Sequence, residues 1–253
     1  MKNPKLTKCI RILLCILIYQ GYGQHDVGEH LLLTTYDQTI GTENTELYSG
    51  IAYTQSYSMQ ENNHTFFKSY TPLEGTITYN DQLYYGQKIK YDLLEDHVIV
   101  TLRNGLNRDN VLIINNNNIS SMNIDGHIFA RTDRYMPVTG PRRINSFLEV
   151  LLKSEKFTFL KSHKKTVRET IKNNRVLHDF DKKITYFLHK DDTLYTVRSR
   201  KNILNLFRSY KDELKAIKKG KNLLSEDEEL FLYMLKRVEL LQSQNKKMEV
   251  HQL

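Results

Sequence analysis

Between residues 47 and 131 the chain repeats one pattern: short stretches of alternating apolar and polar residues, each closed by a turn rich in Asn, Asp or Gly, with no helical apolar stripe between them. The fullest stretch is 83–93. Leu83, Tyr85, Gln87, Ile89, Tyr91 and Leu93 form a largely apolar set, and Tyr84, Gly86, Lys88, Lys90 and Asp92 a more polar one, the period of a strand with one wet face. Residues 97–103 repeat it with Val98, Val100 and Leu102, and 94–96 serve as the reversal. Residues 47–57, 75–79, 111–114 and 127–131 are further strands, separated by Asn80-Asp81, Asn104-Gly105, the Asn115 to Asn118 run and Asp125-Gly126. Strands spaced this way predict an α+β chain whose first part is a Tyr-rich antiparallel sheet, curled or barrel-like, and not a βαβ fold. Ten of the sixteen tyrosines lie between Tyr36 and Tyr135, where such rings suit a half-buried pleated surface. An aromatic platform for sugar rings or bases is the alternative use.

The pattern changes after Pro137, Gly140, Pro141, Arg142 and Arg143, which mark a boundary near residue 140. Residues 141–200 form a basic segment with two β-hairpins, 147–152 with 157–160, and 184–189 with 194–198. Residues 201–243 read as a helical hairpin. Ile203, Phe207, Tyr210, Leu214 and Ile217 make one apolar stripe, ended by Gly220. Ser225 and Glu228 form a capping box, and Leu230, Phe231, Met234, Leu235, Val238 and Leu241 line the second helix. A frayed tail is expected over 244–253.

Residues 1–23 have the order of a cleavable signal peptide: Lys2, Lys5 and Lys8, then an apolar run from Ile12 to Tyr19, then Gly21 and Gly23. Cleavage after Gly23 sends the chain to the periplasm or outside the cell, and a retained anchor is disfavoured because the run is short of a membrane span. Both cysteines, Cys9 and Cys15, would leave with the signal, so the mature chain would have no disulfide, thiolate nucleophile or Cys-ligated metal. The formal net charge is +8 over the whole chain. It is unevenly divided: residues 24–140 hold 7 Lys and Arg against 14 Asp and Glu, and residues 141–253 hold 26 against 15. Either the halves face each other or the basic half meets a polyanion.

The search for chemistry returns no nucleophile elbow, phosphate loop, zinc-protease helix or dinucleotide turn, so no catalytic, cofactor or metal residue is assigned. Ser121 to Gly126 has the flavour of a calcium loop but lacks its acids, and reads as a turn. His25, Asp26, Glu29 and His30 could ligate a metal, though a polar leader is the simpler meaning. Asp92, Glu95 and Asp96 are the candidate acid/base set for an envelope hydrolase. Lys161, Lys164, Lys165, Arg168, Lys172 and Arg175 are the candidate polyanion contacts; they have no interleaved aromatic ring, which disfavours nucleic acid and leaves a membrane surface open. Two glycosylation triplets, at Asn63 and Asn118, are given no role.

The 75–79 strand, the 84–96 block, the 184–198 hairpin and the closing helices together resemble a loose class of exported proteins of unknown function in Bacteroidota-type bacteria. The resemblance implies an envelope address and no catalytic residue. The expected function is a non-catalytic interaction or accessory role at the cell envelope with another envelope protein as partner. The hydrolase and the polyanion binder are the alternatives.

Overall fold

The computed structural model describes residues 35, 39, 41–135, 145–172, 175–217 and 227–250. The expected signal peptide at 1–23, the His25–His30 cluster, the expected boundary at 136–144, Gly220 and Ser225 lie outside these residues. Among the described residues eleven strands form one antiparallel sheet. In chain order they are β1 (Ile51–Ala52), β2 (Leu73–Tyr79), β3 (Gln82–Asp92), β4 (His97–Arg103), β5 (Asp109–Ile114), β6 (Ile119–Ile124), β7 (His127–Arg131), β8 (Phe147–Lys153), β9 (Phe157–Lys172), β10 (Arg175–Lys190) and β11 (Thr193–Val197). The spatial order is β1-β5-β4-β3-β2-β6-β7-β8-β9-β10-β11. Tight reversals join most neighbours. Asn80, Asp81, Asp96, Asp125, Asp191 and Asp192 sit at positive φ there, a conformation that Asn and Asp tolerate better than other residues with a Cβ.

The sheet is curled but not closed, and β1 and β11 are its two edges. Curling lets the sheet cover its own concave face, where Ile77, Tyr79, Tyr84, Ile89, Tyr91, Val98, Met122, Phe129 and Phe147 form the first core. It also brings β9 back to the end of β3, where Lys165 N donates to Leu93 O at 3.1 Å.

Among the described residues three helices follow the sheet: α1 (Arg200–Leu206), α2 (Lys211–Ala216) and α3 (Asp227–Val250). They cover β9–β11 and form a second core from Phe159, Leu188, Val197, Ile203, Leu214, Phe231, Met234 and Leu235. Along β9 the alternating Phe157, Phe159, Lys161, His163 and Lys165 share one face. The first two belong to the second core and the last three leave it. A polar band therefore separates the two cores on the same face of one sheet.

Several expectations need correction. In β3 the inward residue before the bulge is Tyr84, not Tyr85. Gly75 pairs with Gln87 but Ile77 pairs with Tyr84, so β3 carries an extra residue at Gly86, whose φ of +60 accommodates the bulge. The 121–126 segment is mostly strand. Ile119, Met122 and Ile124 are all buried, and a register shift opposite Thr78 and Tyr79 hides their period of two. The 47–57 strand shrinks to β1, because Leu47 is buried by a 3-10 turn at Glu46–Ser49. The first helix is broken at Phe207, whose φ of −122° and ψ of 56° are not helical. The expected frayed tail is helical as far as Val250. In the basic segment both expected hairpins are present, β8 with β9 and β10 with β11, and what was not expected is that β9 and β10 run on between them as a third, long hairpin of two 16-residue strands, about 50 Å at strand rise.

Candidate functional site

The polar band holds the site that sequence reasoning missed. Glu149 pairs with Phe129 on β7 and with Lys161 on β9, so His127, two residues before Phe129, and His163, two after Lys161, fall on its face. Glu149 Oε1 lies 2.5 Å from His127 Nδ1, and Oε2 lies 2.5 Å from His163 Nε2. Glu149 and His163 are buried, whereas the His127 side chain is 33% exposed. On the outer side, Lys68 Nζ sits 3.1 Å from His127 Nε2 and 2.7 Å from Asp125 Oδ2. Five ionisable groups thus run from solvent to core in the order Asp125, Lys68, His127, Glu149, His163. Lys68 stands at φ +53, a left-handed conformation costing about 1 kcal/mol or more in a residue with a Cβ. Its neighbour Phe67 is wedged between the rings of His127, Phe129 and His163 at 5.0 to 5.3 Å.

Electrostatics fixes the protons. Burial raises the Glu149 carboxyl, but hydrogen bonds from His163 and His127 prevail and hold it at about 2. Burial pushes the His163 imidazole down against the pull of Glu149, which leaves it neutral. Each imidazole nitrogen facing the carboxylate is therefore the donor. His127 Nε2 is left as the acceptor for the Lys68 ammonium. His163 Nδ1 is a buried lone pair with no hydrogen-bond partner. The arrangement orients His127 as a carboxylate orients a catalytic imidazole. Among the described residues, however, no hydroxyl is hydrogen-bonded to either ring, and no cluster fit to hold a metal is present. The clue in the sequence was Glu149 itself, one acid inside the apolar stretch Phe147–Lys153, since a buried acid needs partners.

The three candidate acids stand elsewhere. Asp92 accepts from Thr65 Oγ1 at 2.7 Å and from the amides of Leu94 and Glu95. Asp96 accepts from Tyr91 OH and from both Ser146 N and Oγ, all within 2.8 Å. Glu95 receives Tyr57 OH at 3.5 Å on the exposed side. These contacts tie the β3–β4 turn to its surroundings, and the three acids do not converge on a shared reacting atom.

The basic run is divided between two faces. Lys161 pairs with Glu228 of α3 at 2.6 Å, and Lys165 Nζ donates to His64 O. Lys164 and Arg168 lie on the opposite face, where Arg168 approaches Asp179 at 3.9 Å and Asp181 at 3.6 Å. The side chains of Lys172 and Arg175 lie outside the described ones.

The far end of the β9–β10 hairpin is the second feature of functional interest. From Arg168 to Ile171, and at Val176 and Leu177, every side chain is exposed. Ile171 is 80% exposed and Val176, its register partner, 52%. Nearer the body, Asn63 reaches the outer edge of β10, where its Nδ2 donates to His178 O at 2.7 Å and its Oδ1 accepts from Phe180 N at 3.1 Å. Asn63 is thereby committed to the protein.

No protein-family model, curated protein or solved structure matches the chain. Among the described residues no helix is long and apolar enough to cross a membrane. The functional reading therefore rests on residues and geometry.

Proposed function

We propose that the protein is exported and serves the cell envelope as a non-catalytic interaction module, with the distal β9–β10 hairpin as the arm that meets an envelope protein partner. The observation that carries this reading is the arm itself. A soluble chain gains nothing by holding Ile171, Val176 and Leu177 in water, whereas apolar groups at the end of a two-stranded ribbon bury well against another protein. The carboxylates offered for hydrolysis are hydrogen-bonded within the fold, and the basic run is divided between ion pairs on two faces, which argues against the hydrolase and the polyanion binder.

A photo-crosslinking side chain at Ile171 tests the proposal in intact cells. Ile128, 52% exposed on β7, is the control position. A discrete crosslinked protein is expected from 171 and not from 128. No adduct from 171, or the same adducts from both positions, would refute the arm.

A further inference from the structure

The end of the β9–β10 hairpin opposite the arm carries a cleft of about 830 Å³, within the range of roughly 300 to 1,000 Å³ that takes a small ligand. Its walls are the β8–β9 turn, the β10–β11 turn, the 3-10 turn that precedes Tyr135, and the corner between α1 and α2. Three observations bear on what it would hold.

Its lining is cationic from several directions. Lys153 and Lys156 flank the β8–β9 turn, Arg134 comes from the segment after β7, and Arg208 from the helical corner. Among the described residues none of the four is within ion-pairing distance of a carboxylate, whereas Lys190 on the rim is paired with Asp191. Glu155 and Asp192 are the remaining acids. All four are exposed, and Arg134 also acts on the neighbouring Asp133 carboxyl; a multivalent anion can accept charge-assisted hydrogen bonds from such cations on several sides at once.

Its interior is aromatic. Phe157 meets Phe207 edge to face at 5.3 Å, and Tyr135 meets His189 at 5.3 Å. Tyr135 and Tyr210 are half-buried and line the cleft together with Arg134 and Arg208, which precede them in the chain by one and two residues. Rings of this kind stack against planar or pyranose ligands.

The β10–β11 turn that forms one lip holds Asp191 and Asp192 at φ +49 and +52. Positive φ at both central residues is what a tight two-residue hairpin turn requires.

We propose that this cleft binds a phosphorylated small molecule that carries a ring, a nucleotide or a sugar phosphate, with the phosphate held by Arg134, Lys153, Lys156 and Arg208 and the ring against Tyr135 and Tyr210. None of the six lysines and arginines singled out in the sequence as polyanion contacts lines it. The site is therefore one for a compact anion and is separate from the interaction arm.

Calorimetric titration of the full mature chain at low salt tests the assignment, with adenosine monophosphate and glucose 1-phosphate as probes and adenosine, glucose and inorganic phosphate as references. At least one phosphorylated probe is expected to bind at least ten times more tightly than its unphosphorylated form and than inorganic phosphate. Lys156→Gln with Arg208→Gln should weaken it at least tenfold. Lys164→Gln with Lys183→Gln, on the hairpin away from the cleft, should leave it within twofold. Absence of binding by both phosphorylated probes would overturn the proposal. Equal losses in the two double variants would reduce the site to diffuse surface charge, and inorganic phosphate binding as tightly as the probes would remove the ring from it. Each of these outcomes is independent of whether the arm finds its partner.

Discussion

Glu149 Oε2 and His163 Nε2 lie 2.5 Å apart with both side chains almost wholly out of water. A buried carboxylate in this position is stabilised only while its donors remain. Removing the carboxylate leaves the buried His163 N–H without an acceptor, a loss of about 1 to 3 kcal/mol, while replacing a buried polar pair by apolar residues of similar volume is often neutral. Glu149→Ala should therefore cost about 1 to 3 kcal/mol in urea unfolding, and Glu149→Leu with His163→Leu less than Glu149→Ala alone. Lys68→Ala, whose ion pair with Asp125 is half exposed, should cost less than about 1 kcal/mol. Similar losses from Glu149→Ala and Lys68→Ala would contradict this account.

The same groups set a pH dependence. His163 is pushed below its ordinary 6.5 by burial, and His64 to about 4 by burial together with the charges of Lys165 and Lys90. Both are neutral in the fold, so as pH drops below 6.5 the unfolded chain takes up protons first and stability falls. The Glu149 carboxyl, ordinarily 4.5, sits at about 2; its contribution is present above pH 4.5 and is lost as pH falls toward 2. The urea midpoint should decline in two stages between pH 7.5 and pH 3. His64→Leu should flatten the upper stage and spare the lower one. A midpoint constant from pH 7.5 to 4.5 would contradict the assignment.

The long closing helix offers a plainer contrast. Leu235 is buried against the second core and Lys236 beside it is exposed. Leu235→Ala should cost about 2 to 5 kcal/mol and Lys236→Ala less than about 0.5, both read from urea unfolding. Equal costs would mean that α3 does not dock.

Two glycines separate crowding from backbone strain. A Cβ on Gly75 would stand 2.0 Å from Asn123 O, while one on Gly86 would meet nothing within 4 Å, though Gly86 has φ +60. Gly75→Ala should cost about 3 kcal/mol or more by forcing β2 and β6 apart, and Gly86→Ala about 1 kcal/mol from backbone strain alone. The reverse order in thermal unfolding would place the bulge elsewhere.

β4 and β7 coincide end for end with the strands read from sequence, and the buried residues of α3 are largely the stripe picked out by spacing. Those elements were legible because each has one wet and one dry face. The long hairpin was not, because Lys161, His163 and Lys165 are turned into a polar band where a period-two pattern of apolar residues would otherwise show. β6 was hidden by a register shift, which changes the spacing of Ile119 and Met122 without changing their burial. The Asp125–His163 relay was the least legible. Its members come from a bend, a turn and three strands, and strand register aligns His127, Glu149 and His163.

Asn63 has a consequence for how the molecule behaves in a crowd. A strand edge is a template on which a neighbouring chain can add itself, and along β10 the ladder with β11 reaches only from Tyr186 to Lys190. By bonding His178 O and Phe180 N at once, one side-chain amide imitates the strand that would otherwise grow there. The blockade spends no extra strand, closes the β10 edge at His178 and Phe180, and leaves the apolar tip beyond it uncovered.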